Sequence, residues 1–165
     1  NIIENFYTAF QQLDADKMVA CYHPDVIFWD PGFGHLQGND AGDMWRMLCE
    51  NARDFELTFS DIELHATQGS AHWEAKYTFS RTGRKVHNSI DATFEFQDGL
   101  IIKHKDNFNL RRWAGQALGF KGYLLGGTSF FQKKLQTQTN QLLAKYQAGP
   151  QDETQQEEAQ QEKPA

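Results

Sequence analysis

The chain has 165 residues, of which 39% are hydrophobic and 13% aromatic, and its formal net charge is −6. This length fits one domain with a sizeable core, and the 13 phenylalanines and four tryptophans favour a wide sheet or a cavity. No basic run is dense enough to follow a phosphate backbone, because Arg111-Arg112 and Lys133-Lys134 are isolated pairs. A nucleic-acid partner is therefore not expected.

The sequence shows no pattern typical of a membrane span, a metal site or a bound cofactor. It contains no apolar run of about 18 residues, so we expect no membrane partner and a cytoplasmic location. Cys21 and Cys49 lie in helical patterns without zinc or redox spacing. The histidines lie on separate elements and form no HxH or HExxH pair, so neither a metal nor a cofactor is predicted.

Three amphipathic helices are predicted in the first third of the chain. Apolar residues recur along each at three- and four-residue steps, which is typical of a helix with one buried face. The stripes are Ile2, Ile3, Phe6, Phe10 and Leu13, then Met18, Val19 and Tyr22, then Ala41, Met44, Trp45 and Leu48. The second helix must end near His23, because Pro24 disfavours helical geometry in the residue before it.

A buried strand is predicted at Val26–Trp29, closed by the turn residues Asp30-Pro31-Gly32. Four more strands follow the third helix, each with period-two alternation of apolar residues. In the first of these four, the alternation slips by one residue between Phe59 and Ile62, which indicates a β-bulge. Short antiparallel connections are predicted at Arg81-Thr82-Gly83-Arg84 and Gln97-Asp98-Gly99.

This order of elements predicts an α+β domain in which three helices pack on a curved, mostly antiparallel sheet and leave a cone between the layers. We divide the chain into the α+β domain at 1–118, a Gly-rich connection and amphipathic helix at 119–148, and a disordered acidic Gln/Glu-rich tail at 149–165. The C-terminal helix could cover the mouth of the cone, bind a second subunit or pack on the outer surface.

Four short motifs carry a resemblance to a known group of proteins. They are Tyr22-His23-Pro24-Asp25-Val26, Asp30-Pro31, Met44-Trp45 and Ile90-Asp91. With these motifs the chain resembles, from Ile2 to Leu118, the nuclear-transport-factor-2-like superfamily, which includes SnoaL-like polyketide cyclases, ketosteroid isomerases and limonene epoxide hydrolases. The resemblance implies a cone-shaped fold, and because the superfamily is diverse it implies no single reaction.

Against the ketosteroid isomerases, the resemblance extends to two carboxyl groups. Asp30 matches the position of that family's general base, and Asp91 matches the protonated acid of its oxyanion hole. Two carboxyls with opposed protonation states can carry out enolisation. Phe6 stands where the family has an oxyanion-hole tyrosine, and its neighbour Tyr7 is turned away by about 100° around the helix. The loss of one donor argues against true steroid isomerase activity.

Each candidate residue also has a structural interpretation. Asp30 could be a base whose pKa is raised by an apolar wall that includes Trp29 or Phe33, or a turn residue bonded to local backbone N–H groups. Asp91 is a buried acid if its sheet face points into the cone, and otherwise a surface acid. His104 could be a pocket acid or base oriented by Asp106 on the same strand face, or part of a solvated strand end.

We predict a mostly apolar pocket for a small hydrophobic ligand, in a cofactor-free acid/base isomerase, cyclase or hydrolase. The predicted catalytic residues are Asp30, Asp91 and His104, and the residues predicted to contact the substrate are Phe6, Trp29, Phe33, Trp45 and Asp106. Two copies are expected to form a homodimer through the outer face of the sheet. The alternatives are a non-catalytic ligand-binding or dimerisation module of the same fold, and a protein-interaction adaptor that uses the last helix and the acidic tail.

Overall fold

The structure, a computed structural model, describes residues 1–149. Its helices are α1 (Ile2–Gln11), α2 (Ala15–Ala20), α3 (Asn39–Asn51), α4 (Leu110–Leu118), α5 (Phe120–Leu125) and α6 (Ser129–Ala148). Its strands are β1 (Tyr22–Asp30), β2 (Gly34–Gln37), β3 (Glu56–Leu64), β4 (Gln68–Phe79), β5 (Arg84–Gln97) and β6 (Leu100–Asn107). Strand β2 and helix α5 are absent from the sequence-based prediction, because each is short and lies in a Gly-rich stretch.

The six strands form one open sheet in the order β2-β1-β6-β5-β4-β3. Strand β1 pairs in antiparallel fashion with β2 and in parallel fashion with β6, and the remaining neighbours are antiparallel. The predicted α+β fold, with helices on a curved and mostly antiparallel sheet, is confirmed. The parallel β1–β6 pair brings the first strand beside the last one, and so joins residues far apart in sequence.

Two register shifts bend the antiparallel part of the sheet, in addition to one between Tyr22 and Ile27 where β1 faces β6. The first lies between Ser60 and Glu63 of β3, where Asp61 has a φ of 52°, and it is the β-bulge that the phase slip predicts. The second lies where Glu95 and Phe96 of β5 face β6. A bulge changes which residues face inward, and the two together give the sheet the curvature that a cone requires.

Aromatic side chains fill one end of the cone between α1 and the inner face of the sheet. The Phe10 ring lies 5.1 Å from that of Trp45 and 5.6 Å from that of Trp73, in edge-to-face geometry. Such pairs stabilise the core beyond the area they bury. Toward the other end, between α3 and the sheet, a cavity remains, and Phe10, Trp45 and Trp73 also line it.

Helix α6 packs across the turn that follows β1 and against α3. Thr139 Oγ1 donates to the carbonyl of Gly32 at 2.8 Å, and Asn140 Nδ2 donates to that of Phe33 at 2.8 Å. Farther along, Tyr146 Oη donates to Glu50 of α3 at 2.8 Å. Of the three interpretations of the last helix, the structure shows the one in which it covers one side of the cone's mouth.

The predicted disordered tail at 149–165 lies, beyond Gly149, outside the described residues and stays a prediction. No helix within residues 1–149 combines the length and the hydropathy needed to cross a membrane. The outer face of the sheet carries charged pairs such as Lys103 with Glu95 and His87 with Glu74, and homodimer formation through this face also stays a prediction.

Candidate functional site

A cavity of about 1230 Å³ occupies the open end of the cone, bounded by α3, the inner face of the sheet, Trp113 of α4, and α6. Its wall is mainly aromatic and apolar, formed by Phe10, Phe33, Trp45, Phe55, Trp73, Ala75, Phe79, Ile90, Phe108 and Trp113. The exposed cations Arg53, Arg81 and Lys145 also line it, and so lie at its rim. The two carboxyl groups in the wall, Asp30 and Asp106, come from neighbouring strands.

The side chain of Asp30 enters the cavity because residues 26, 28 and 30 share the inner face of β1. Its Oδ1 accepts hydrogen bonds from the backbone N–H groups of Gly32 at 2.8 Å and Phe33 at 2.6 Å. The one fully buried side-chain polar atom without a partner in residues 1–149 is Tyr7 Oη. Asp30 Oδ2 also accepts no hydrogen bond from these residues. Because it is not among the fully buried atoms without a partner, it must be accessible, and the space beside it is the cavity.

The environment of Asp30 favours its neutral form. Removal from water raises the pKa of the Asp30 carboxyl from its ordinary 3.8 to about 7, against the lowering effect of the Phe33 and Gly32 N–H groups. The negative charge of Asp106 adds to the increase. At neutral pH both the acid and the carboxylate of Asp30 are therefore present in the cavity.

Asp106 ends a chain of buried hydrogen bonds that starts on α3. Trp45 Nε1 donates to Tyr22 Oη at 2.8 Å, and Tyr22 Oη lies 2.7 Å from His104 Nδ1. His104 Nε2 lies 3.0 Å from Asp106 Oδ1, which also accepts from Trp73 Nε1 at 3.2 Å. Asp106 Oδ2 accepts no hydrogen bond from residues 1–149 and, by the same reasoning as for Asp30, is accessible from the cavity.

The direction of these hydrogen bonds assigns the tautomer of His104. An indole N–H can only donate, so Tyr22 Oη accepts from Trp45, and the buried hydroxyl hydrogen of Tyr22 finds its acceptor within residues 1–149 in His104 Nδ1. With Nδ1 as the acceptor, His104 carries a proton on Nε2 and donates it to Asp106. The chain thus holds Asp106 in one orientation, with one oxygen bonded and the other facing the cavity.

Tyr77 adds a hydroxyl group to the cavity wall. Trp113 Nε1 donates to Tyr77 Oη at 2.7 Å, which leaves the hydroxyl hydrogen of Tyr77 available to a ligand. Burial and the charge of Asp30 raise the pKa of Tyr77 to about 12, against the lowering effect of the Trp113 bond. Tyr77 is therefore a neutral hydrogen-bond donor at neutral pH.

The structure places Asp91 away from the site. Residues 86, 90, 92 and 94 of β5 are buried, and Asp91 alternates to the outer face, where its side chain is 82% exposed. It pairs with His72 Nδ1 at 2.8 Å, and this hydrogen bond raises the pKa of His72. The interpretation of Asp91 as a buried partner of Asp30 is therefore corrected, because the sheet face opposite to the cavity carries it. Asp106 is the second carboxyl of the cavity instead.

Three other candidates lie outside the cavity. Trp29 faces the outer side of β1, where Lys105 Nζ lies 5.1 Å from its ring centre. Phe6 is fully buried beneath the cavity, stacked on Tyr22 at 5.5 Å. His104 is brought together with Asp106 as expected, but it is enclosed by aromatic rings and does not line the cavity. Phe33, Trp45 and Asp106 do line it.

Sequence reasoning missed Tyr77, Trp113 and the rim cations. Tyr77 alternates with Trp73 and Ala75 along β4, so a hydroxyl group on an otherwise apolar stripe was the available signal. Trp113 reaches the cavity only because α4 packs against β5, which local patterns do not reveal. No group of three His, Cys, Asp or Glu side chains within residues 1–149 is arranged as a metal site.

The fold and this cavity define a class of α+β cone proteins with a ligand-sized interior. The chain matches the SnoaL-like domain family over residues 3–104 and belongs to this family. No curated protein matches the chain in sequence.

Solved structures share the fold at low sequence identity. An LEH-like epoxide hydrolase from M. tuberculosis is 22% identical, with a TM-score of 0.58 over 76% of this chain and 88% of its own. A candidate polyketide cyclase from Silicibacter sp. TM1040 is 22% identical, with a TM-score of 0.60 over 70% of this chain and 91% of its own. TerC, co-crystallised with polyporic acid, is 17% identical, with a TM-score of 0.60 over 70% and 95%. At these identities the likeness shows the fold alone.

The pKa of Asp30 predicts a pH-dependent stability. Because the folded-state pKa of about 7 exceeds the ordinary 3.8, the stability linked to the neutral carboxyl is fully present below about pH 4 and is lost as pH rises through 7. The free energy of unfolding of the wild type, relative to that of Asp30→Asn, should fall by up to about 4 kcal/mol across this window. Urea unfolding of both proteins at a series of pH values measures the difference, and a flat difference would contradict it.

Proposed function

We propose that this protein binds a small, mainly apolar molecule in its cavity and that Asp30 moves a proton on that molecule without a cofactor, in an isomerisation, cyclisation or hydrolysis. One observation carries the proposal. Asp30 has a pKa of about 7 and presents an oxygen without a hydrogen bond from residues 1–149 to an apolar cavity. A general base is most effective when its pKa lies near the working pH.

The geometry supports proton abstraction from a carbon beside a carbonyl group. Asp30 Oδ2 would accept the proton, and the electron pair of the C–H bond would move to the carbonyl oxygen as an enolate. The hydroxyl of Tyr77 is a neutral donor in the same wall and can stabilise that oxygen. Asp106 raises the pKa of Asp30 by its charge, and so makes the Asp30 carboxylate a stronger base.

The cavity also suggests the shape of the ligand. Its aromatic wall suits a flat apolar body, and the rim cations Arg53, Arg81 and Lys145 suit an anionic or strongly polar end. Related folds support this choice, because TerC was crystallised with polyporic acid and another structural neighbour is a candidate polyketide cyclase. We therefore propose an aromatic or polyketide-like substrate class with an acidic C–H bond.

A base-catalysed elimination tests the proposal without knowledge of the natural substrate. The probe 5-nitrobenzisoxazole loses a ring proton to a base while its N–O bond breaks, which yields a coloured nitrophenolate. We expect the wild type to catalyse this reaction with a rate that rises with pH to a plateau, with a midpoint near the Asp30 pKa of about 7. A rate no higher than that of the buffer, or a profile without this midpoint, would contradict catalysis by Asp30.

A non-catalytic binding module is the second candidate, and one observation favours it. Both hydrogen bonds to Asp30 Oδ1 come from the turn that follows it, as in a purely structural Asx-turn. In that case the molecule that co-purifies with the protein, identified by mass spectrometry, would be the same for the wild type and for Asp30→Asn. Accumulation of a different, unconverted molecule in Asp30→Asn would favour catalysis.

A further inference from the structure

A second concave surface lies on the far side of α4 from the cavity and is basic. This groove of about 430 Å³ is lined by the cations Arg84, Lys85 and Arg112 and by the aromatic rings of Phe120 and Tyr123. The ion pairs that Lys and Arg side chains form within residues 1–149 involve Lys17, Arg46 and Lys103. The three cations of the groove therefore have no acidic partner in the described part of the chain.

Large apolar side chains project into solvent beside this groove. Phe120 is 74% exposed, Leu124 53% and Leu125 55%, and Phe130 at the start of α6 is 76% exposed. Three of these side chains belong to the six-residue helix α5, and several exposed large apolar side chains on one short helix are typical of an interaction site. We call the groove and these residues together the α5 face.

Close packing holds the α5 face in place. An added Cβ at Gly122 would overlap the carbonyl oxygen of Ala114, so only glycine lets α5 lie directly on α4 at this point. Arg111 Nε donates to the carbonyl of Tyr123 at 2.9 Å, and its guanidinium lies 4.3 Å from the Tyr123 ring centre. Because the side of α5 that carries Gly122 packs against α4, the side chains of Phe120, Leu124 and Leu125 are left exposed to solvent.

The charge of this part of the chain differs in sign from that of the rest. Residues 107–149 contain six Lys or Arg and no Asp or Glu, although the whole chain has a net charge of −6. Two of the six are exposed near these apolar residues: Lys121 directly follows Phe120, and Lys133 lies three residues after Phe130 on helix α6. A partner that covers the α5 face must therefore be both anionic and apolar.

We propose that the α5 face docks on an anionic lipid surface. The exposed Phe and Leu side chains would enter the boundary between headgroups and acyl chains, and the cations of the groove would bind lipid phosphates. Such docking is a peripheral contact of an exposed face, and it requires no membrane-spanning segment. It revises the expectation of no membrane partner, which rested on the lack of a long apolar run.

Two other occupants fit the α5 face less well. A second copy placed by two-fold symmetry would bring the same cations face to face without acids between them. The chain's own segment 150–165 is acidic, but its sequence offers no aromatic residue and no aliphatic residue larger than Ala, Pro or the side-chain stem of Lys163. It could neutralise the cations, but it could not bury Phe120 or Leu124.

Vesicle flotation of the full chain tests the proposal. We expect binding to vesicles of phosphatidylcholine mixed with phosphatidylglycerol, little binding to phosphatidylcholine alone, and weaker binding at high salt. Each basic residue near an anionic surface strengthens binding by roughly fivefold, so the double variant Lys85→Gln/Arg112→Gln should lose roughly 25-fold. The double variant Phe120→Ser/Leu124→Ser should lose more than about tenfold, because its apolar insertion is removed.

Matched controls carry the same changes elsewhere on the surface. Lys17→Gln/Lys103→Gln removes two exposed cations, and Leu64→Ser removes an exposed leucine at the end of β3; both should bind vesicles like the wild type. Equal binding by all variants, or no binding to anionic vesicles, would overturn the proposal. A third outcome would also overturn it. If light scattering shows a dimer that Phe120→Ser/Leu124→Ser dissociates, and no variant binds vesicles, the α5 face is a self-association surface.

Competition with a soluble phosphate separates a lipid surface from a phosphate site. Glycerol phosphate should displace the protein from vesicles only weakly, because it supplies the anion without the apolar layer. Full displacement by glycerol phosphate, together with unchanged vesicle binding of Phe120→Ser/Leu124→Ser, would overturn lipid docking in favour of a free-phosphate groove. Circular dichroism of each variant confirms that it is folded before binding is compared.

Discussion

Replacement of Asp30 by asparagine should lower the rate of proton abstraction from 5-nitrobenzisoxazole by about 10²- to 10⁴-fold, the usual contribution of a positioned general base. The fold should survive the change, because the amide oxygen of asparagine can still accept the N–H bonds of Gly32 and Phe33. The variant therefore removes the proton acceptor and keeps the turn. Initial rates of nitrophenolate formation at pH 8 measure the effect.

Asp91→Asn is the matched control, because it makes the same chemical change on the outer face of the sheet. Its rate should equal that of the wild type. An Asp30→Asn variant that retains full activity would show that another group is the base. An Asp91→Asn variant as slow as Asp30→Asn would show that the loss is unrelated to the cavity.

Replacement of Asp106 by alanine should lower the free energy of unfolding by about 2–6 kcal/mol. The change leaves two buried donors, His104 Nε2 and Trp73 Nε1, without their acceptor, and each unsatisfied buried donor costs about 1–3 kcal/mol. Since a domain of this size is stable by only about 5–15 kcal/mol, the loss is a large share of the total. Urea unfolding followed by tryptophan fluorescence measures it.

Asp106→Asn separates hydrogen bonding from charge. Its amide oxygen can replace Oδ1 as acceptor, so most of the stability should return, whereas the midpoint of the pH–rate profile should move to lower pH because a negative charge near Asp30 is gone. Asp91→Ala, at an exposed site, should change stability by no more than about 0.5 kcal/mol. A loss below about 1 kcal/mol in Asp106→Ala, or no recovery in Asp106→Asn, would contradict the role of the chain of hydrogen bonds.

Much of the fold follows from local patterns. The alternation of apolar residues and the two hairpin turns predicted the four strands of the meander, and the phase slip between Phe59 and Ile62 predicted the bulge in β3. These features depend on neighbours within a few residues, so the sequence carries them directly. The short elements β2 and α5 form only where longer elements support them, and local patterns did not reveal them.

The candidate site was predicted less completely. Asp30 was identified at a strand end, and strand alternation alone places it on the same side as Phe28 and opposite Trp29. That alternation also excludes Trp29 from the wall, so the predicted contact of Trp29 with the substrate is wrong on local grounds alone. Alternation along β5 places Asp91 on the sheet face opposite to that of Ile90, but it does not show which of the two faces borders the cone.

The sequence by itself determined the order of the longer helices and strands, the family, and a carboxyl group at the end of β1, because periodicity and turn residues act over short distances. Only the tertiary structure decided which second carboxyl joins Asp30. The parallel pairing of β1 with β6 brings Asp106 to the cavity, and the packing of the core on the sheet face that carries Ile90 leaves Asp91 on the outer face. The tertiary structure also brings Arg84, Lys85 and Arg112 together in one groove. Contacts between such distant segments depend on packing that no local pattern encodes.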